Sequence, residues 1–133
     1  MSNLLLYAAI GITVVLVLMV GLNAMVVLRM RALQGKPLPE VPGPTGKSLS
    51  QAKRGLAYFF SPGCGACRTI TPVMQKLSEK NQDVHVVDVT RQFDVARALK
   101  VLATPTIVEV ESGRIVAVHV GPVPPRLLER YAP

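Results

Sequence analysis

Cys64 and Cys67 stand three apart in the segment Ser61-Pro62-Gly63-Cys64-Gly65-Ala66-Cys67-Arg68, and they are the side chains of this sequence best suited to covalent chemistry. The thiolate, not the thiol, is the sulfur nucleophile. An apolar run followed by Pro62-Gly63 predicts a strand end, a turn, and a helix that begins at or just after Cys64. Unpaired amides and the positive end of such a helix favour a thiolate at Cys64, which makes it the expected nucleophile. Cys67, one turn on and expected to be less exposed, is placed to attack a mixed disulfide formed on Cys64, the resolving role. No acidic residue lies between Glu40 and Glu79, whereas Lys47, Lys53, Arg54, Arg68 and Lys76 do. Basic surroundings would favour the thiolate again.

A C-x-x-C pair by itself is equally compatible with half of a zinc site or a copper-binding loop. Zinc needs two further ligands. The chain offers only His85 and His119, each inside a β-rich run and without ligand-like spacing, so no metal site is expected. A purely structural disulfide would close too small a loop to stabilise much. The reading from the residues is therefore redox exchange with no cofactor beyond the Cys64-Cys67 disulfide itself.

The elements that must hold this pair divide the chain in two. All fifteen Lys and Arg and all eight Asp and Glu of the 133 residues lie at or beyond Arg29. The uncharged stretch from Leu4 to Leu28 would span roughly 37 Å as a helix, enough to cross a hydrocarbon core about 30 Å thick. A cleaved signal peptide would have a basic start and a shorter apolar segment. Residues 1–30 are accordingly predicted to be a single-pass membrane anchor. Arg29, Arg31 and Lys36 follow it closely, so the positive-inside rule puts the rest of the chain in the cytoplasm, with the extracytoplasmic side as the alternative.

Residues 31–50 hold Pro37, Pro39, Pro42 and Pro44 together with Gly35, Gly43 and Gly46, and are predicted to be a semi-rigid linker. Residues 51–133 then alternate between short apolar runs and helical spacing. Strands are predicted at Leu56–Phe60, Val84–Val89, Ile107–Val110 and Arg114–Val120, and helices at Cys67–Lys80, Phe93–Leu99 and Pro125–Tyr131. The order β-α-β-α-β-β-α predicts an α/β domain with a mixed central sheet. The net charge of +7 is spread without an aromatic stacking platform, so no nucleic-acid partner is expected.

Several ordered segments together resemble the thioredoxin family: F-F-S-P-G-C-G-A-C-R-x-x-x-P ending at Pro72, V-V-D-V at Val86 to Val89, A-T-P-T at Ala103 to Thr106, and Gly113 and Gly121. The resemblance covers about residues 55 to 131 and implies a trimmed thioredoxin-like fold behind the membrane helix. By resemblance Pro105 is the cis-proline set against the cysteine pair, and Thr104 offers backbone groups to a bound substrate strand beside Gly63. The resemblance further implies a thiol-disulfide oxidoreductase, a disulfide-bearing protein as substrate, and an electron donor that the sequence does not name. The chain also departs from the family. Gly63 replaces its tryptophan, Ala66 replaces the proline between its cysteines, and Tyr58 stands where it carries a buried acid. A non-enzymatic docking module and copper delivery by the reduced pair are the competing functions. Arg68, Tyr58 and Pro72 complete the expected site as supporting residues.

Overall fold

The computed structural model describes residues 2–132. The central strand is β1 (Arg54–Phe60), whose run Gly55 to Phe59 is buried throughout. Such a continuous apolar run suits a strand covered on both faces. It pairs in parallel with β2 (Val84–Asp88) and antiparallel with β3 (Thr106–Glu111), and β3 pairs antiparallel with β4 (Arg114–Val120), giving the order β2-β1-β3-β4. The β3–β4 hairpin turns through Ser112 and Gly113, at φ 48° and 75°. Positive φ at both central residues is what a type I′ hairpin turn requires, and its twist matches that of the strands.

One core fills each face of the sheet. Phe59, Val87, Val108 and Val110 point to the face covered by α2 (Gly43–Gln51), α4 (Phe93–Ala98) and the end of α1 (Ser2–Arg31). Leu56, Tyr58 and Ile107 point to the other, under α3 (Thr71–Lys80) and α5 (Pro125–Arg130), with Met74, Leu77, Leu127 and Tyr131 packed on them. The mixed sheet and the order of elements from β1 onward are as predicted from the sequence.

The stretch predicted as a linker is different. Residues 43–51 form α2, and Leu49 on it is fully buried. Pro44 sits in its first turn, where a missing N–H is no loss, so the prolines that suggested an extended linker here start a helix instead. Gly46 closes the fit, since a Cβ there would collide with the Val41 carbonyl. Upstream, Gly35 and Leu38 donate to the Ile115 and Gly113 carbonyls at 2.7 and 2.8 Å, and Ile115 donates to the Lys36 carbonyl at 3.0 Å, covering part of the β4 edge. The chain from 31 to 51 is thus part of the folded body.

Helix α1 has two halves. From Leu4 to Met25 its side chains are exposed, and it is long and apolar enough to cross a membrane. At its end Val26, Met30 and the following Leu33 form a stripe at helical spacing that enters the core of the α2/α4 face.

Candidate functional site

Cys64 and Cys67 lie beyond the carboxyl end of β1 and are joined as a disulfide, with Cα atoms 5.3 Å apart. The chain turns after β1 as Cys64 N–H donates to the Ser61 carbonyl at 3.1 Å. A single 3-10 turn, Gly65–Cys67, follows with Cys64 as its N-cap. The α-helix expected from Cys67 begins only at Thr71, and Pro72 occupies its first turn. A three-residue turn aligns few peptide dipoles, so the helix contribution to a Cys64 thiolate is smaller than the sequence suggests. The two cysteines are unequally placed: Cys64 is half-buried and Cys67 only 2% exposed.

The loop before β3 stands alongside. Its Thr104–Pro105 peptide bond is cis. The Ser61 and Thr104 hydroxyls meet at 3.5 Å, tying the cysteine turn to this loop. Thr106 Oγ1 donates to the Ala103 carbonyl at 2.7 Å, and the Gly121 N–H donates to the Pro105 carbonyl at 2.9 Å. Gly121 adopts φ 99°, a conformation open to glycine and strained for other residues. Gly63, just before the first cysteine, is exposed and has no atom near the place a Cβ would take.

Beneath the turn, Tyr58 is fully buried and its hydroxyl meets Thr71 Oγ1 at 3.0 Å. Burial pushes the phenol above its usual value, and the Thr71 hydrogen bond partly offsets this. The group under the cysteines is therefore neutral at ordinary pH, an amphoteric hydroxyl rather than a carboxylate. Its ring stacks with Phe60, centroids 6.1 Å apart.

Two of the basic residues expected around the pair, Lys53 and Arg54, lie away from it. Arg54 opens β1 and Phe60 closes it, so Lys53 and Arg54 sit roughly 20 Å from the cysteine end of the strand at about 3.3 Å per residue. Arg54 pairs there with Glu111 at 3.1 Å. Arg68 follows Cys67, is exposed, and makes no ion pair among the described residues.

One buried cluster escaped the sequence reading. Glu109 on β3 is 2% exposed and accepts from Arg130 Nη1 at 3.2 Å and the Tyr131 hydroxyl at 3.3 Å, with His119 Nε2 at 2.9 Å. The cross-strand neighbourhood of Glu109 and His119 in one hairpin was the available signal. His119 is thus engaged with a carboxylate. His85 is separate on β2, its Nε2 buried without a hydrogen-bond partner, and burial lowers its pKa so that the ring stays neutral.

A family model described as Thioredoxin matches residues 46–132. Thioredoxin-1 of Saccharomyces cerevisiae is 32% identical over 87 residues, 64% of this chain and 84% of that protein. Thioredoxin of Bacillus subtilis is 31% identical over 77 residues, 56% of this chain and 74% of that protein. Among solved structures, the reduced thioredoxin pre-protein of Schistosoma mansoni superposes with a TM-score of 0.55 at 30% identity, over 69% of this chain and 90% of that one.

Proposed function

We propose, because this chain belongs to the thioredoxin family and is a thiol-disulfide oxidoreductase, that it is a membrane-tethered enzyme exchanging electrons with partner-protein disulfides through Cys64 and Cys67. The observation that carries the assignment of roles is the unequal exposure of the two cysteines: a partner disulfide reaches the half-buried Cys64, whereas Cys67 is buried. In the reduced enzyme the Cys64 thiolate attacks one sulfur of the partner disulfide. A Cys64-partner disulfide forms and the first partner thiolate leaves. Cys67, as thiolate, then attacks Cys64 sulfur, so that the Cys64-Cys67 disulfide forms and the second partner thiolate leaves. Two electrons pass to the partner, and the cysteine pair is oxidised. An electron donor then supplies two electrons and returns the pair to the reduced state. No cofactor beyond the disulfide takes part.

Gly63, Thr104 and Pro105 form the rim on which the partner strand lies. The absence of a side chain at Gly63 leaves the approach to Cys64 open, and Thr104 is held to the cysteine turn by Ser61. Tyr58, Pro72 and Arg68 are supporting residues: a neutral buried hydroxyl below the pair, the start of α3, and an exposed cation beside Cys67. The tether is α1, supported by its length and apolar composition. Arg29, Arg31 and Lys36 at its foot favour a cytoplasmic domain.

In disulfide-reductase assays of the full chain, Cys64→Ser and Cys67→Ser are each expected to abolish activity. Cys67→Ala is expected to accumulate mixed disulfides with partner proteins. Full activity in both serine variants would overturn the exchange assignment, and an absence of trapped partners with Cys67→Ala would favour a docking module.

A further inference from the structure

A cleft of about 820 Å³ lies between the foot of α1, helix α4 and the loop that carries Thr104. Its walls are apolar, with Leu33 just beyond α1, Ala96 on α4, and Val101 and Leu102 in the loop. Arg29 and Lys36 contribute cations from one side, Arg97 and Lys100 from the other, and no carboxylate lines it. None of these four cations is in an ion pair among the described residues. Phe93 and Leu102 also border the cleft and are 66% and 56% exposed, so large apolar side chains stand in the open at a charged rim.

An apolar cleft with unpaired cations round it fits an amphiphile with an anionic head. Arg29 is two residues short of the end of α1, which sets the cleft at the level where that apolar helix would leave the hydrocarbon. Basic residues next to a membrane span attract anionic headgroups, and basic pockets beside spans hold lipid phosphates. We infer that the cleft binds an anionic phospholipid of the adjoining leaflet. Its phosphate lies among Arg29, Lys36, Arg97 and Lys100, and its glycerol and upper acyl segments lie along Leu33, Ala96, Val101 and Leu102. Phe93 then faces the headgroup layer instead of open water. The inference rests on α1 spanning the bilayer, because only then does a leaflet present lipid to this cleft. Thr104 is part of the same lining, so a bound lipid borders the rim assigned above to the partner strand.

The test uses the full chain. Alkaline carbonate extraction of membranes comes first: retention upholds the span, and release removes the basis of the lipid site with it. The detergent-solubilised protein is then exposed in turn to phosphatidylglycerol, phosphatidylcholine and inorganic phosphate, and the retained adduct is read by native mass spectrometry. Phosphatidylglycerol should be retained, and the other two should not. Arg97→Gln/Lys100→Gln should weaken that retention roughly thirtyfold, as expected for two cations near an anionic headgroup. Lys76→Gln/Lys80→Gln on α3 should leave it unchanged, and both double variants should keep parental reductase activity. A carbonate-resistant protein that retains phosphatidylcholine equally, or keeps its phosphatidylglycerol in Arg97→Gln/Lys100→Gln, sinks the site and leaves the tether standing. Equal retention of inorganic phosphate would overturn the lipid assignment in favour of a soluble anion.

Discussion

Tyr58 and Glu109 stand on the same face of the sheet, on neighbouring strands, and both are buried polar side chains. Tyr58, under the cysteine turn, has one neutral hydroxyl for company. Glu109, further from that turn along β3, is met by Arg130, His119 and the Tyr131 hydroxyl. A buried carboxylate is tolerated only when its lone pairs are answered by donors, and α5 and β4 supply them at Glu109. No such set surrounds Tyr58. The domain thus keeps its buried charge where donors converge and leaves the position beneath the cysteines uncharged, so protons exchanged with the cysteines do not pass through a buried carboxylate at position 58.

The sharpest way to break this contrast is to put a carboxyl where the donors are missing. Tyr58→Asp leaves an acid with only the Thr71 hydroxyl and a void in place of a ring, and should destabilise the fold by roughly 2–4 kcal/mol in urea unfolding. It should also bring a new ionisation into the pH profile of disulfide exchange. An unchanged stability and profile would show that the site below the cysteines is already wet and polar. Next in size, Glu109→Gln replaces charge-assisted bonds by weaker ones and should cost about 1–2 kcal/mol. Activity per folded molecule should stay at the parental level, and a fall there without a fall in stability would join the two regions functionally.

The smallest effect separates the two buried phenols. Burial raises both, the Glu109 carboxylate raises Tyr131 further, and the Thr71 bond draws Tyr58 part of the way back. A phenol raised on folding contributes its full stabilisation below its unfolded value near 10, and that contribution is lost as pH rises through the folded value. Stability should therefore decline above about pH 10. Tyr131→Phe should flatten that decline more than Tyr58→Phe, as read by urea midpoints across the alkaline range.

The strands were legible because their apolar runs are continuous and their ends are punctuated by Gly, Pro and Asn. Arg114–Val120 is found as the sequence predicts, and β1 begins two residues earlier than expected because Arg54 and Gly55 still pair with β3. The cysteine pair and its loop partners were legible as ordered motifs. The α2 helix was hidden by Pro42, Gly43, Pro44 and Gly46, residues that usually interrupt helices and that here start one or permit close packing. Lys53 and Arg54 were misread as neighbours of the pair because nearness in sequence along a strand becomes distance in space. Glu109 was missed for the opposite reason: its partners come from β4 and from the adjacent pair Arg130-Tyr131, both distant in sequence, and an acid in T-I-V-E-V-E looks solvent-facing until α5 covers it.

The entry of Val26, Met30 and Leu33 into the core fastens the end of α1 to the sheet. Without a slack hinge between them, the domain turns with its own helix as a capstan turns with its shaft. In a bilayer the cysteine pair would be carried round a circle at one altitude above the lipid, and an encounter would be decided by whether a partner brings its disulfide to that altitude.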